Sequence, residues 1–193
     1  MIPDPFLRLV VHGRPGTAGS KSSFAIYKGT GPDRQFTGRI NTAEQDVGGH
    51  KKSWRRAVTE AAIAAIRCDC PLPGCTKLRP GYPVDEAIVA AMVFTVSKPA
   101  SALKKTVTYP AVMPDVGKYA RATEDSLTAA GVWKDDARVV EFGRLAKVYP
   151  GEDPGSLPAP GAVILLWRRS MFGRVVPAMG LMDPGTLFEM AAS

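Results

Sequence analysis

The chain has 193 residues, 45% of them hydrophobic, which is enough for a single domain with a substantial core. No apolar run is long enough to span a bilayer as a helix, and an odd count of three cysteines argues against a disulfide framework. The net charge of +7 is unevenly spread: residues 1–67 hold eleven Lys and Arg against five Asp and Glu, whereas the rest hold fourteen against thirteen. A basic first third ahead of a more balanced remainder suits a polyanion such as nucleic acid. The start, MIPDPFLRLVVHG, has Asp4 ahead of its apolar run and no cleavable signal pattern, so the cytoplasm is the expected location.

In chain order, Leu7 to Val11 reads as a first strand. It leads into GRPGTAGSKSSF, a loop over Gly13 to Phe24 rich in glycine and hydroxyls, in which Ser20, Lys21 and Ser22 have the chemistry to hold a phosphate. The Gly-Lys-Ser/Thr ending of a nucleotide-binding P-loop is absent. Phe24 to Tyr27 and Gln35 to Asn41 are expected to pair as a hairpin across a turn containing Gly29, Gly31 and Pro32. A helix is expected from about Lys51 to Ile66, with Trp54, Val58, Ala61 and Ala65 as its apolar stripe. Lys51, Lys52, Arg55 and Arg56 crowd its first turns. Cations there oppose the helix dipole at a few tenths of a kcal/mol each; a bound phosphate would offset that, and a solvated basic face is the alternative.

Arg67 to Val84 reads as a loop carrying Cys68, Cys70 and Cys75. A zinc site would require a fourth ligand, for which His50 is the nearest candidate in sequence; a loop of thiols is the expectation. AIVAAMVFTV, from Ala87 to Val96, is expected to be a central strand buried on both faces. Another loop, Lys98 to Met113, delivers the chain to Pro114 and Asp115.

The stretch from Met113 to Lys147 is the densest in chemistry. Asp115 stands where a helix cap would. Val116, Tyr119, Ala120, Thr123, Leu127 and Ala130 recur at helical spacing, and Gly131 is placed to end the helix in a left-handed turn. Asp115, Lys118, Arg121 and Asp125 project from a different side. Asp135 and Asp136 precede a strand running from Val139 to Tyr149, whose Val140, Phe142, Ala146 and Val148 are expected to alternate inward, opposite Glu141 and Lys147. With that strand beside the helix, three or four carboxylates and two cations converge, a set suited to a hard divalent metal near a phosphate. Ala162 to Trp167 is the last expected strand, and residues 171–193 form an irregular tail on what reads as one domain over residues 1–193.

This stretch resembles the signature of the RusA family of Holliday junction resolvases, with Pro114, Asp115, Lys118, Arg121, Asp125-Ser126-Leu127, Asp135-Asp136, Val139 and Lys147 at the matching positions. The Gly-Ser-Lys segment at Gly19 to Lys21 and the Trp54 to Val58 helix extend the resemblance over most of Leu7 to Trp167. One position departs: the family's second metal-binding Asp falls on Gly117, and Glu124, two turns on, reads as lying on a different side.

The resemblance implies an α+β fold with a mixed sheet of about five or six strands and two principal helices, a homodimer, and Mg²⁺- or Mn²⁺-dependent nicking of four-way or branched DNA. It assigns catalysis to Asp115, Asp136 and Arg121, and metal binding to Asp115, Asp136, Asp125 and Asp135. DNA contacts are expected at Ser20, Lys21, Lys52, Arg55, Arg56, Lys118 and Lys147. A junction-binding protein with weakened cleavage, and an interaction module, are the alternatives.

Overall fold

The computed structural model describes residues 3–19, 21–44, 49–70, 75–103 and 106–173, with backbone alone at 21, 22, 43 and 44. The fold is α+β. Six strands, β1 (Leu7–His12), β2 (Lys21–Lys28), β3 (Gln35–Glu44), β4 (Ile88–Thr95), β5 (Val139–Val148) and β6 (Gly161–Arg168), accompany two helices, α1 (Lys51–Ile66) and α2 (Val116–Ala130). Ser20 and residues 174–193 of the tail lie outside the described residues.

Four strands form one mixed sheet in the order β1-β6-β4-β5. β6 runs antiparallel to both β1 and β4, and β4 runs parallel to β5. The strand count matches expectation, but the strands are not in one sheet: β2 and β3 form a separate antiparallel pair. The reason is visible in their side chains. Phe24, Tyr27, Phe36 and Ile40 are exposed, so this hairpin buries no face on the main core.

β4 is buried at every residue, as its unbroken apolar run requires. Ile88, Ala90, Met92 and Phe94 face the helices, in one cluster with Trp54, Val58, Ala62, Ile66 and Leu127. Val89 and Ala91 face the other way, with Val163, Leu165 and Trp167 of β6. The buried stripe of α1 is Trp54, Val58, Ala62 and Ile66, one residue on from the expected positions at its second half; Ala61 and Ala65 pack only partly against the cluster. α1 and α2 are tied at mid-length, where Trp54 Nε1 donates to Thr123 Oγ1 at 3.2 Å and Thr59 Oγ1 to the Ser126 carbonyl at 3.3 Å.

α2 ends as its sequence predicts. Gly131 takes the left-handed conformation at φ 81°, and its N–H reaches the Leu127 and Thr128 carbonyls. Its start is different. Asp115 occupies the cap position, but its carboxylate makes no capping hydrogen bond. The expected alternation of β5 fails in its first half, where Val140 is 58% and Phe142 38% exposed while Val139 and Leu145 pack on the core; Val148 is buried as expected. The β4–β5 register slips twice, between Ile88 and Val89 and between Ala90 and Ala91. Each slip inserts an extra residue of β5 and reverses which parity faces inward. Among the described residues, no helix is long and apolar enough to cross a membrane.

Trp54 is the joint between α1, α2 and β4: it is 1% exposed, lies 6.3 Å edge-on to the Phe94 ring, and makes the hydrogen bond to Thr123. Trp54→Ala is expected to cost about 3–5 kcal/mol, read as a lower urea midpoint at unchanged slope. A loss under about 1 kcal/mol would mean that the helices are held elsewhere.

Candidate active site

Parallel β4 and β5 end side by side, Thr95 opposite Val148, and α2 is the crossover between them. The carboxyl end of a parallel pair is where such units leave a crevice. Here it is a cleft of about 320 Å³, lined in part by Arg14, Thr17, His50, Tyr119, Lys147 and Tyr149. Both helices begin beside it, α1 after His50 and α2 after Pro114 and Asp115. Neither helix has a side-chain cap or an acidic residue in its first turn, so the positive ends of two helix dipoles and the cations Arg14 and Lys147 border one cavity.

The loop after β1 reaches into this junction. Pro15 to Ala18 are buried, and the Ala18 N–H donates to the Lys118 carbonyl at 2.9 Å. Gly16 is required by contact: a Cβ there would stand 2.7 Å from the His50 carbonyl oxygen and the Lys51 Cα. The opposite wall is held by Glu152, which pairs with Lys98 and accepts from Thr108 N and Oγ1 at 3.1 and 3.2 Å. Lys147 Nζ donates to the Val112 and Pro114 carbonyls at 2.5 and 2.8 Å. Burial pulls its pKa below the usual lysine value, and Asp115 opposes that shift. Lys147 thereby ties the entry of α2 to β5 at the edge of the cleft. Burial raises the Tyr119 hydroxyl, with Arg14 acting against it.

The carboxylates divide into two groups. At the start of α2, Asp115 lies 3.7 Å from Lys118, and its side chain is 70% exposed. Farther along, Glu124 is raised above the usual carboxylate value, first by burial, then by the negative charges of Asp136 and Asp125; Arg121 alone works against them. Asp136 is exposed on a short turn fixed on both sides. Asp135 accepts from the Ala137 N–H at 2.9 Å, and Arg138 reaches Asp85 at 2.7 Å.

Glu124 corrects the sequence reading. It is seven residues beyond Gly117, and Arg121 is four beyond, so all three lie along one stripe of the helix. That stripe is the one whose charge meets Asp136. Gly117 is exposed and a Cβ there would meet nothing within 4 Å. Asp115 and Glu124 are nine residues apart, about 13 Å along the axis. Accordingly, among the described residues, no three carboxylates bring their oxygens within 4.8 Å of one another.

The other expected site residues have definite places. Asp125 is paired with Arg55 across the two helices, which occupies both. Asp135 caps its turn. Arg56 lies 3.7 Å from Glu60 on the open side of α1, and Lys52 is exposed beside it. Arg121 is exposed. Lys21 opens β2, with only its backbone described. The cleft residues Arg14, His50, Tyr119 and Tyr149 were not apparent as a group in the sequence. The one available signal was Gly16, whose lack of a side chain permits the close approach. No protein-family model matches the chain, and neither does any curated protein.

The pressure on Glu124 has a measurable sign. Its folded pKa lies above the ordinary value of 4.5, so above that value the folded chain holds a proton that the unfolded chain has lost. Stability therefore falls as pH rises through the window between the two values. Glu124→Gln is expected to remove that decline and to melt higher than the parent at neutral pH. Parallel melting-temperature profiles for the two proteins from about pH 4 to pH 8 would remove Glu124 from the cluster.

Proposed function

We propose that this chain is a metal-dependent DNA endonuclease of RusA type, which resolves four-way junctions by paired nicks. The observation that carries the reading is the approach of Asp136 to the half-buried Glu124 on the Gly117–Arg121–Glu124 stripe of α2, with Arg121 beside Glu124 and the neighbouring Asp125 already paired to Arg55. The donors are all oxygen, and Mg²⁺ characteristically takes one or two carboxylates while retaining water, so an open set of this kind fits it. Mg²⁺ or Mn²⁺ would be held by Asp136 and Glu124 with water at its other positions, while Asp115, about 13 Å away along the helix, stays outside that set. When bound, the ion supplies a lowered pKa for an attacking water and neutralises charge on the scissile phosphate.

The remaining roles belong to side chains. Arg121 offers a planar fork of donors to the oxygens of the phosphate as negative charge builds in the transition state. Arg14 and the two uncapped helix starts hold a neighbouring phosphate in the cleft. Lys52 and Arg56 face an arm of the duplex, and Lys118 contributes where Asp115 leaves it exposed. Arg55, engaged with Asp125, orients α1 instead. Two symmetric nicks require two active sites, hence a homodimer. The exposed Phe24, Tyr27, Phe36 and Ile40 of the β2–β3 hairpin support a second copy as the partner for that surface. A DNA substrate of this kind implies work in the cytoplasm, that of a bacterial host if the chain is phage-encoded.

A second reading rests on Gly117: without a carboxylate there, the chain binds junctions and cleaves them weakly or not at all. A labelled four-way junction with Mg²⁺ or Mn²⁺, alongside EDTA, separates the two. Under the nuclease reading Asp136→Asn lowers nicking at least about 100-fold while junction binding persists. Gly117→Asp, which has open space for its side chain, raises Mg²⁺-dependent nicking and lowers the metal concentration required. Wild-type nicking by Asp136→Asn would misplace the site. Binding without nicking, in the parent and in Gly117→Asp with either metal, would establish the second reading.

Binding should depend steeply on salt, log K falling by about 0.9 per phosphate neutralised for each unit of log salt. Charge reversal at Lys52 and Arg56 together is expected to flatten that slope by about two phosphates' worth. An unchanged slope would turn this face of α1 away from DNA.

A further inference from the structure

We propose that Cys68, Cys70 and Cys75 form a three-thiolate site for one Zn²⁺ ion, which closes the loop following α1. The inference is independent of the nuclease reading, because the loop joins the opposite end of α1 from the cleft.

The three sulfurs, spaced as Cys-x-Cys-x₄-Cys, converge. Cys68 Sγ lies 2.8 Å from Cys70 Sγ and 3.0 Å from Cys75 Sγ, and all three lie within 4.8 Å of one another. None is in a disulfide, and each is half-buried. Among the described residues they are the one trio of potential ligands so disposed. The backbone is built to hold them. A bridge joins Arg67 to Leu78; Cys68 N donates to the Lys77 carbonyl at 2.9 Å and Arg79 N to the Ile66 carbonyl at 2.8 Å. Arg79 adds bonds to the Arg67 carbonyl and to Asp69. Cys68 and Cys75 are thereby set on opposite strands of a closed loop. The Lys77 N–H points at Cys75 Sγ at 3.4 Å, an amide contact that favours a thiolate.

Soft thiolates select Zn²⁺, Cu⁺ or iron–sulfur clusters. Three sulfurs are one short of a cluster's usual four ligands, and also of a closed structural zinc site, but zinc's open sites do hold three protein ligands with water in the fourth position. His50 cannot fill that position. It precedes α1, whose sixteen residues span about 24 Å, and the cysteines follow the other end. Residues 71–74, Pro-Leu-Pro-Gly, offer no side-chain donor. Uptake requires the thiol protons to leave, so affinity rises with pH. The net charge of three thiolates and Zn²⁺ is −1, with Lys77 close by. The ion would staple the C-terminal end of α1 to Leu78, which packs on the core and against the Gly131 turn.

The test uses the full chain, reduced and stripped with a chelator, and Co²⁺ as the probe. One Co²⁺ per chain is expected, with thiolate-to-cobalt charge transfer in the near ultraviolet and intense four-coordinate visible bands, both abolished when Zn²⁺ displaces it. Zn²⁺ should also slow modification of the thiols by Ellman's reagent. Cys70→Ser and Cys75→Ser, each checked for folding by circular dichroism, should weaken Zn²⁺ binding at least about 100-fold, beyond the effect of losing a group outside the ligand shell. Absence of the charge-transfer band in folded protein, with equal thiol reactivity with and without Zn²⁺, overturns the proposal. Undiminished Co²⁺ binding by both Ser variants, or uptake of Cu⁺ but neither Co²⁺ nor Zn²⁺, overturns it too.

Discussion

The main sheet and both helices follow from the burial of β4 on both faces. A strand made of Ile88, Val89, Ala90, Ala91, Met92, Val93, Phe94 and Thr95 leaves no face for water, so each side must be covered. Two helices cover one side. α2 does so while carrying the chain back to start β5 parallel to β4, because a parallel partner needs a crossover long enough to return. Once that unit exists, the carboxyl ends of both strands and the start of α2 share one end of the sheet, and the cleft forms there without a dedicated element.

The electrostatics of the two ends of the site differ for the same reason. The start of α2 collects cations, Lys118 and Lys147 near Asp115 and Arg14 near Tyr119. The middle of α2 collects anions, because the turn before β5 carries Asp136 to that level of the helix. Under the proposed reading a phosphodiester would lie at the positive helix starts and a divalent cation among the carboxylates, which matches this division. The α1–α2 tie keeps the two in register: Arg55 with Asp125, and Trp54 with Thr123.

Much of the fold was legible because its signals are local. The α1 span, the Gly131 stop and the buried run of β4 each rest on periodicity or turn chemistry within one segment. The failures are all non-local. The inward parity of β5 depends on two slips against β4, which its own sequence does not encode visibly. The division of six strands into two sheets depends on where Phe24 and Ile40 end up, which their own short segments do not encode. In the site, the motif positions were legible one by one, but their partners were not. Asp125 and Arg55, separated by most of two elements, became a structural pair. Glu124 was set aside on the sequence, although its spacing from Gly117 and Arg121 places it on their stripe. The cysteines were read as a loop of thiols because no second cysteine pair at zinc-finger spacing accompanies them; their convergence depends on the Arg67–Leu78 bridge, which no spacing rule reveals.

The central claim is that a divalent cation sits between the α2 stripe and Asp136. Paramagnetic broadening by Mn²⁺ tests it without any substrate. In amide spectra of the full chain at substoichiometric Mn²⁺, the account predicts that Arg121, Glu124 and Asp136 broaden first and together, and recover when Mg²⁺ is added in excess. Broadening centred instead on Asp85, Asp153 or the cysteine loop, with those three amides unaffected, would contradict it.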